Sequence, residues 1–289
     1  MKKLSIFFLV TFLGSCASVT SLQKKGSVVP KSFRHSITFK TYKSVIFFPV
    51  EVNGISKNFL FDTGAQLSLI QDEKASGKKI TAVGTTQQKV ILTKETTESL
   101  KIGEVDFVQS TSMLGDFQGL KEQIPNFGGI IGQSVINKAS WKIDYPNKSL
   151  ELSNEDLSDE SFTTLKIVRK NGSPYALITI EGQTYTCLID SGASTPGISI
   201  PLDHPLGKKL LDKYSFKDTT RETYALGGSQ KFEVKKGTVP SVQLGGIAFT
   251  NVPVIIKESN KLRIGMNFFK DCVIIIDNVN GDYKLKKTI

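Results

Sequence analysis

The sequence predicts an all-β chain built from two similar halves, and three observations carry that prediction. From Phe33 onward the chain is filled by short alternating runs rich in Val, Ile, Phe and Thr, broken by Gly and Asn. That is the period-two pattern of strands and hairpins. Helical pattern is sparse, with Pro205 to Tyr214 as its best segment. The third observation is a duplication: Leu60-Phe61-Asp62-Thr63-Gly64-Ala65 returns as Leu188-Ile189-Asp190-Ser191-Gly192-Ala193. Each copy is an apolar strand end running into a carboxylate, a small hydroxyl residue and a glycine. Two copies on repeated strands predict one site assembled from two halves, with one carboxylate from each.

The rest of the chain repeats in step with those aspartates. Eight residues separate Gly54 from Asp62, and eight separate Gly182 from Asp190. Ala82-Val83-Gly84-Thr85 matches Ala225-Leu226-Gly227-Gly228, each in a run that reads as a glycine-tipped hairpin. Lys101-Ile102-Gly103 matches Gln243-Leu244-Gly245, and Ile130-Ile131-Gly132 matches Arg263-Ile264-Gly265. Twelve residues past each of the last two glycines stands an aspartate, Asp144 or Asp277, which reads as the cap of a hairpin turn. The halves differ in length only where loops are expected, including the stretch that holds Pro205 to Tyr214. Trp141 reads as a core residue. The glycines at 128, 129 and 132 lack the helix and Lys-Ser/Thr pair of a phosphate-binding loop.

Five segments follow from this reading. Residues 1–15 carry Lys2 and Lys3 and then an apolar run from Leu4 to Leu13, too short to span a bilayer, as in a secretory signal. The run ends in Leu13-Gly14-Ser15-Cys16, which resembles a bacterial lipobox with Cys16 as the acylated residue. Residues 16–32 are small and polar and read as a flexible tether. Residues 33–152 and 162–289 form the two lobes, joined by the acidic linker 153–161, which reads as solvated. The lipobox resemblance implies a chain anchored to the bacterial envelope and facing the periplasm.

Composition limits the remaining classes. The formal charge of +10 falls to +8 without Lys2 and Lys3, and the lysines are scattered, so nucleic acid is not an expected partner. Only two histidines occur, His35 and His204, neither near a cysteine or an acidic cluster, so no metal site is expected. Cys187 and Cys272 lie in apolar strand-like runs, where either a disulfide or two buried thiols would fit.

Two Asp-(Thr/Ser)-Gly motifs, each followed by a glycine-tipped hairpin and an apolar-Gly element, resemble the aspartic proteases. The two-lobed arrangement in one chain is similar to the pepsin-like enzymes, with halves built on the smaller retropepsin template. The resemblance covers Phe33 to Lys287. It implies β-barrel-like lobes with an active-site cleft between them, and an endopeptidase acting on a peptide as a monomer without a cofactor. Asp62 and Asp190 would be the catalytic pair, one ionised and one protonated. Thr63 and Ser191 would cross-link the two loops, and Gly64 and Gly192 would let backbone N–H groups approach the carboxylates. Val83, Gly84, Thr85, Leu226, Gly227 and Gly228 would form flaps over the substrate. Ala65 and Ala193 follow the retropepsin form and leave the carboxylates one hydroxyl donor short, which implies a less acidic optimum than a stomach enzyme has. The first flap lacks the tyrosine usual in pepsin-like enzymes. Because a fold does not guarantee activity, a silent peptide-binding lipoprotein is the alternative.

Overall fold

A computed structural model describes residues 16–73, 79–83, 89–225, 228–259 and 261–288. As the alternating pattern predicts, the chain is all-β: an eleven-stranded sheet in the first half, an eight-stranded sheet in the second, and a six-stranded sheet that draws on both. The shared sheet runs in space through Thr163–Leu165, Tyr283–Lys287, Cys272–Ile276, Ser140–Asp144, Ser149–Ser153 and Arg34–Thr38. Its central seam pairs Ser140–Asp144 antiparallel with Cys272–Ile276, setting Trp141 opposite Ile276. The two halves are therefore stitched by backbone hydrogen bonds and not merely by the linker.

The core follows the seam. One apolar cluster extends from Phe61 and Trp141 in the first half to Ile189 and Tyr283 in the second. Trp141 is fully buried, its ring centroid 5.2 Å from that of Phe61 and stacked 6.1 Å from that of Phe107. Truncating such a side chain would cost about 3–5 kcal/mol. A second cluster, including Leu60, Leu69, Met113 and Ile130, lies in the first half alone.

Each half contains the same hairpin leading to its aspartate. Val45–Val52 and Ile55–Phe61 are joined by Asn53 and Gly54, at φ +47° and +83°. Ser173–Ile180 and Gln183–Ile189 are joined by Glu181 and Gly182, at φ +52° and +74°. Two successive left-handed residues give a turn whose twist matches that of the flanking strands, and glycine at the second position carries it without a Cβ clash. Glu181 is held in place from outside the turn, because its carboxylate bonds the Lys213 ammonium and the Tyr214 hydroxyl. Those residues end the one long helix of the second half, Pro205–Lys213, close to the segment the sequence indicates. His204 caps that helix: its Nδ1 accepts the Leu206 N–H at 3.1 Å.

The expectation of a flexible tether over residues 16–32 does not hold. Cys16–Gln23 is a helix, and Ser27–Val29 is a strand paired antiparallel with Val105–Val108. Tertiary contacts fix a segment whose composition alone would leave it loose. Val19 is buried, Gln23 Nε2 donates to the Gln66 carbonyl at 2.9 Å, and Lys138 Nζ donates to the Gln23 carbonyl at 3.2 Å. The acidic linker is also less solvated than its composition indicates: Leu157 is buried, and Asp156 pairs with Lys284 at 2.5 Å. Cys187 and Cys272 are buried free thiols. Asp144 and Asp277 cap turns, accepting the backbone N–H groups of Asn147 and Asn280 at 3.0 Å each.

Candidate active site

The two aspartates emerge from matching strand ends. Phe127–Ile131 runs parallel to Ile55–Phe61, and the Ile131 carbonyl accepts the Asp62 N–H at 2.9 Å. In the second half Arg263–Ile264 runs parallel to Gln183–Ile189, and the Ile264 carbonyl accepts the Asp190 N–H, again at 2.9 Å. Each chain then turns sharply. The Ala65 N–H returns to the Asp62 carbonyl at 3.2 Å, and the Ala193 N–H to the Asp190 carbonyl at 3.1 Å.

The turns lock onto each other through the hydroxyl residues. Thr63 N–H donates to Ser191 Oγ at 2.9 Å, and Ser191 N–H donates to Thr63 Oγ1 at 3.0 Å. Each hydroxyl then donates across the seam, Thr63 Oγ1 to the Ile189 carbonyl at 2.7 Å and Ser191 Oγ to the Phe61 carbonyl at 2.8 Å. All four bonds are buried, where each contributes about 1 kcal/mol net and an unmade partner costs more. Both glycines are required by close approach. A Cβ on Gly192 would lie 2.3 Å from Asp62 Cγ, and one on Gly64 would lie 2.9 Å from Asp190 Oδ1.

These contacts hold the two carboxyls close together, both within 3.1 Å of where a Cβ on Gly64 would lie. The environment raises the Asp62 pKa to about 7, through burial first and the negative charge of Asp190 second. The Gly64 N–H, donating to Asp62 Oδ1 at 2.8 Å, opposes that rise without cancelling it. Asp190 is buried and has a partner that Asp62 lacks: Arg263 Nη1 donates to its Oδ2 at 3.1 Å.

Arg263 is the residue that sequence reasoning missed. Its triplet matches Ile130-Ile131-Gly132 and reads as packing, although a cation in place of Ile130 was the visible signal. Gln133 is the second. It is fully buried, its N–H donates to the Ala65 carbonyl at 2.9 Å, and its Nε2 to the Thr63 carbonyl at 2.7 Å. The corresponding Met266 has no such group to offer.

A cleft of about 750 Å³ opens over the aspartates, walled by both hairpins: Ile80 and Ala82 from the first, Arg221 and Thr223 from the second. Val19 and Leu22, from the helix at the amino end, lie along the same cleft. Of the expected flap residues, Gly84, Thr85, Leu226 and Gly227 fall outside the described residues. Val83 ends the first hairpin's outgoing strand, paired with Lys89. Gly228 begins the returning strand of the second, paired with Ala225, and sits against the helix Gln118–Lys121 of the first half. A Cβ on Gly119 of that helix would lie 2.6 Å from the Gly228 Cα. The second hairpin thus reaches across to the opposite half.

This geometry allows one proton to be shared by two carboxyls, the arrangement that lets one partner act as acid while the other acts as base. Residues 176–271, which include Asp190, Ser191, Gly192 and Arg263, match the family model described as gag-polyprotein putative aspartyl protease. No curated relative matches the chain. The second half therefore contains an aspartyl protease-like domain, and the first repeats its motif.

Proposed function

We propose that the chain is an aspartic endopeptidase that hydrolyses peptide bonds with a water activated between Asp62 and Asp190. The crossed Thr63–Ser191 bonds are the observation that carries this reading, because they hold the two aspartate loops together beneath a cleft. The asymmetry around the pair suggests the roles. Asp62, raised towards neutrality, holds the proton, and Asp190, with Arg263 on its outer oxygen, is the base. Asp190 takes a proton from water as the water oxygen attacks the scissile carbonyl carbon, and Asp62 donates its proton to the carbonyl oxygen. Asp190 then passes its proton to the amide nitrogen, the C–N bond breaks, and a hydroxyl of the tetrahedral intermediate returns a proton to Asp62. No covalent enzyme intermediate is formed.

The amino-terminal basic and apolar run ending in Leu13-Gly14-Ser15-Cys16 supports attachment to the bacterial envelope through an acyl group on Cys16, with the lobes facing the periplasm. The chain would work as a monomer, since it supplies both carboxylates itself. The Arg263 pair also favours a second reading. A carboxylate already held by a cation polarises water less strongly, which suits a peptide-binding lobe pair without turnover.

Residues 17–289 incubated with a mixed peptide library between about pH 4 and pH 8 separate the two, with products mapped by mass spectrometry. The protease reading expects cleavage that Asp62→Asn and Asp190→Asn each abolish. It also expects the rate to fall as pH rises through about 7, where Asp62 gives up its proton. A folded parent that cuts nothing at any of these pH values would leave peptide binding as the function.

A further inference from the structure

Around the aspartates the cleft has two unlike faces. In the first half Ile130 pairs in register with Leu69, and Leu69 with Met113 on the next strand; all three line the cleft. At the same register of the second half Arg263 pairs with Ser199, and Ser199 with Ile255. Two residues beyond Ile255 on the same strand, hence on the same face, stands Lys257. Lys261 and Arg221 line the cleft beside it. Four cations therefore gather on the face that adjoins Asp190, while Lys25 and Lys94 line the cleft from the amino-terminal part of the chain.

Their own partners do not balance them. Arg263 uses one nitrogen on Asp190, while its Nε is buried without a hydrogen-bond partner among the described residues. Ser199 Oγ, on the residue paired with it, is likewise buried and unpartnered among them. Among the described residues Arg221 bonds uncharged oxygens, the Ser194 carbonyl and Oγ. Lys257 lies 4.8 Å from the Phe232 ring centroid, and neither it nor Lys261 has a carboxylate within ion-pair range among the described residues. Burial lowers the Lys257 pKa to about 8, with the neighbouring charges of Arg263 and Arg221 adding to the effect; burial and Arg263 lower that of Lys261. Such a cluster is destabilised as it stands and is relieved by an anion.

We infer that this face is a subsite for a carboxylate side chain: the substrate residue seated beside Asp190, next to the scissile bond, is Glu or Asp, while the first half takes an apolar residue. The inference rests on the protease reading for its substrate, a peptide. It deepens that reading by naming what the cleft selects. Lys257 and Lys261 supply the charge-assisted hydrogen bonds, and Arg221 supplies further positive potential. Arg263, committed to Asp190, closes the inner wall.

Binding tests it without requiring turnover. Capped peptides in which a reduced methyleneamine replaces the scissile amide are titrated against the protein by fluorescence anisotropy, with a single Glu moved along an otherwise uncharged sequence. The expected result is about tenfold tighter binding for Glu than for Gln at one position adjoining the reduced bond, a difference of about 1.4 kcal/mol. The preference should vanish in Lys257→Gln/Lys261→Gln. Equal binding of Glu and Gln, or the same gain wherever Glu is placed, would overturn the subsite, the latter showing only the pull of a basic chain. A Gln peptide with a free terminal carboxylate at that position, if it bound better than Glu, would overturn the side-chain assignment. Turnover of the corresponding amide peptides is scored separately. Failure to cut removes the protease reading, whereas the Glu-to-Gln binding ratio alone decides the subsite.

Discussion

Where the first half sets Ile130 against Leu69, the second sets Arg263 against Ser199, although both pairs occupy the same register of the same strand arrangement. The backbone bonds that deliver the two aspartates match to within a tenth of an ångström, and the hydroxyl cross-bonds are nearly mirror images. Beyond the matched aspartate loops, the side chains paired across the strands that line the cleft differ, Ile130, Leu69 and Met113 against Arg263, Ser199 and Ile255. Duplication has thus fixed the parts that position the carboxyls and left the lining free to diverge. The comparison teaches that the hydroxyl residues holding the aspartate loops and the strand residues lining the cleft lie on different segments of each half.

The strongest way to break the symmetric part is Gly192→Ala. The new methyl would fall 2.3 Å from Asp62 Cγ, a distance no Cβ tolerates, so the carboxyls must separate. A loss of about a hundredfold in kcat/KM is expected, given the cost of misplacing catalytic groups by an ångström. Peptide turnover and thermal melting measured together check it, and retained activity would mean that the dyad does not act as a pair.

Sharpening the asymmetric part calls for Arg263→Leu, which gives the second half the first half's lining. Removing one member of a buried ion pair leaves the other without compensation, at a cost of about 3 kcal/mol. Denaturant unfolding at neutral pH would show that loss. An unchanged midpoint would mean that Asp190 does not depend on its cation.

The smallest effect concerns Asp62 and depends on pH. A carboxyl whose folded pKa is raised binds its proton more tightly in the native state, so its stability contribution is full below its ordinary pKa and lost as pH climbs through about 7. Asp62→Asn cannot ionise. Its melting temperature relative to the parent should therefore rise between pH 4 and pH 8, by the equivalent of about 1–3 kcal/mol given that Asp62 is only half-buried. A difference that stays flat with pH would show that Asp62 is not the proton holder.

The symmetric features were the legible ones. Asp62 and Asp190, the hydroxyls after them, and the eight-residue spacing from Gly54 and Gly182 are local patterns, and a repeat doubles their weight. Arg263 was printed in the sequence just as plainly, yet its meaning lies across the sheet. Only the fold brings residue 263 within 3.1 Å of residue 190. Gln133 and Lys257 were obscure for the same reason, since their partners or neighbours come from distant segments. The helix Cys16–Gln23 was invisible because it is short and only weakly amphipathic, and it is held by Gln66 and Lys138. The repeat match at Ala225 gave no sign that Gly228 would reach Gly119 of the other half.

The shared six-stranded sheet has one further consequence. Three of its strands come from each half, bonded through Ser140–Asp144 and Cys272–Ile276, so the halves are joined by one continuous sheet. A cleft assembled from two identical copies would carry Arg263 twice and present the same wall to either end of a peptide. Here the arginine exists once. The cleft has a head and a tail, so on the proposed reading a peptide laid across the two aspartates would be told from the same peptide running backwards.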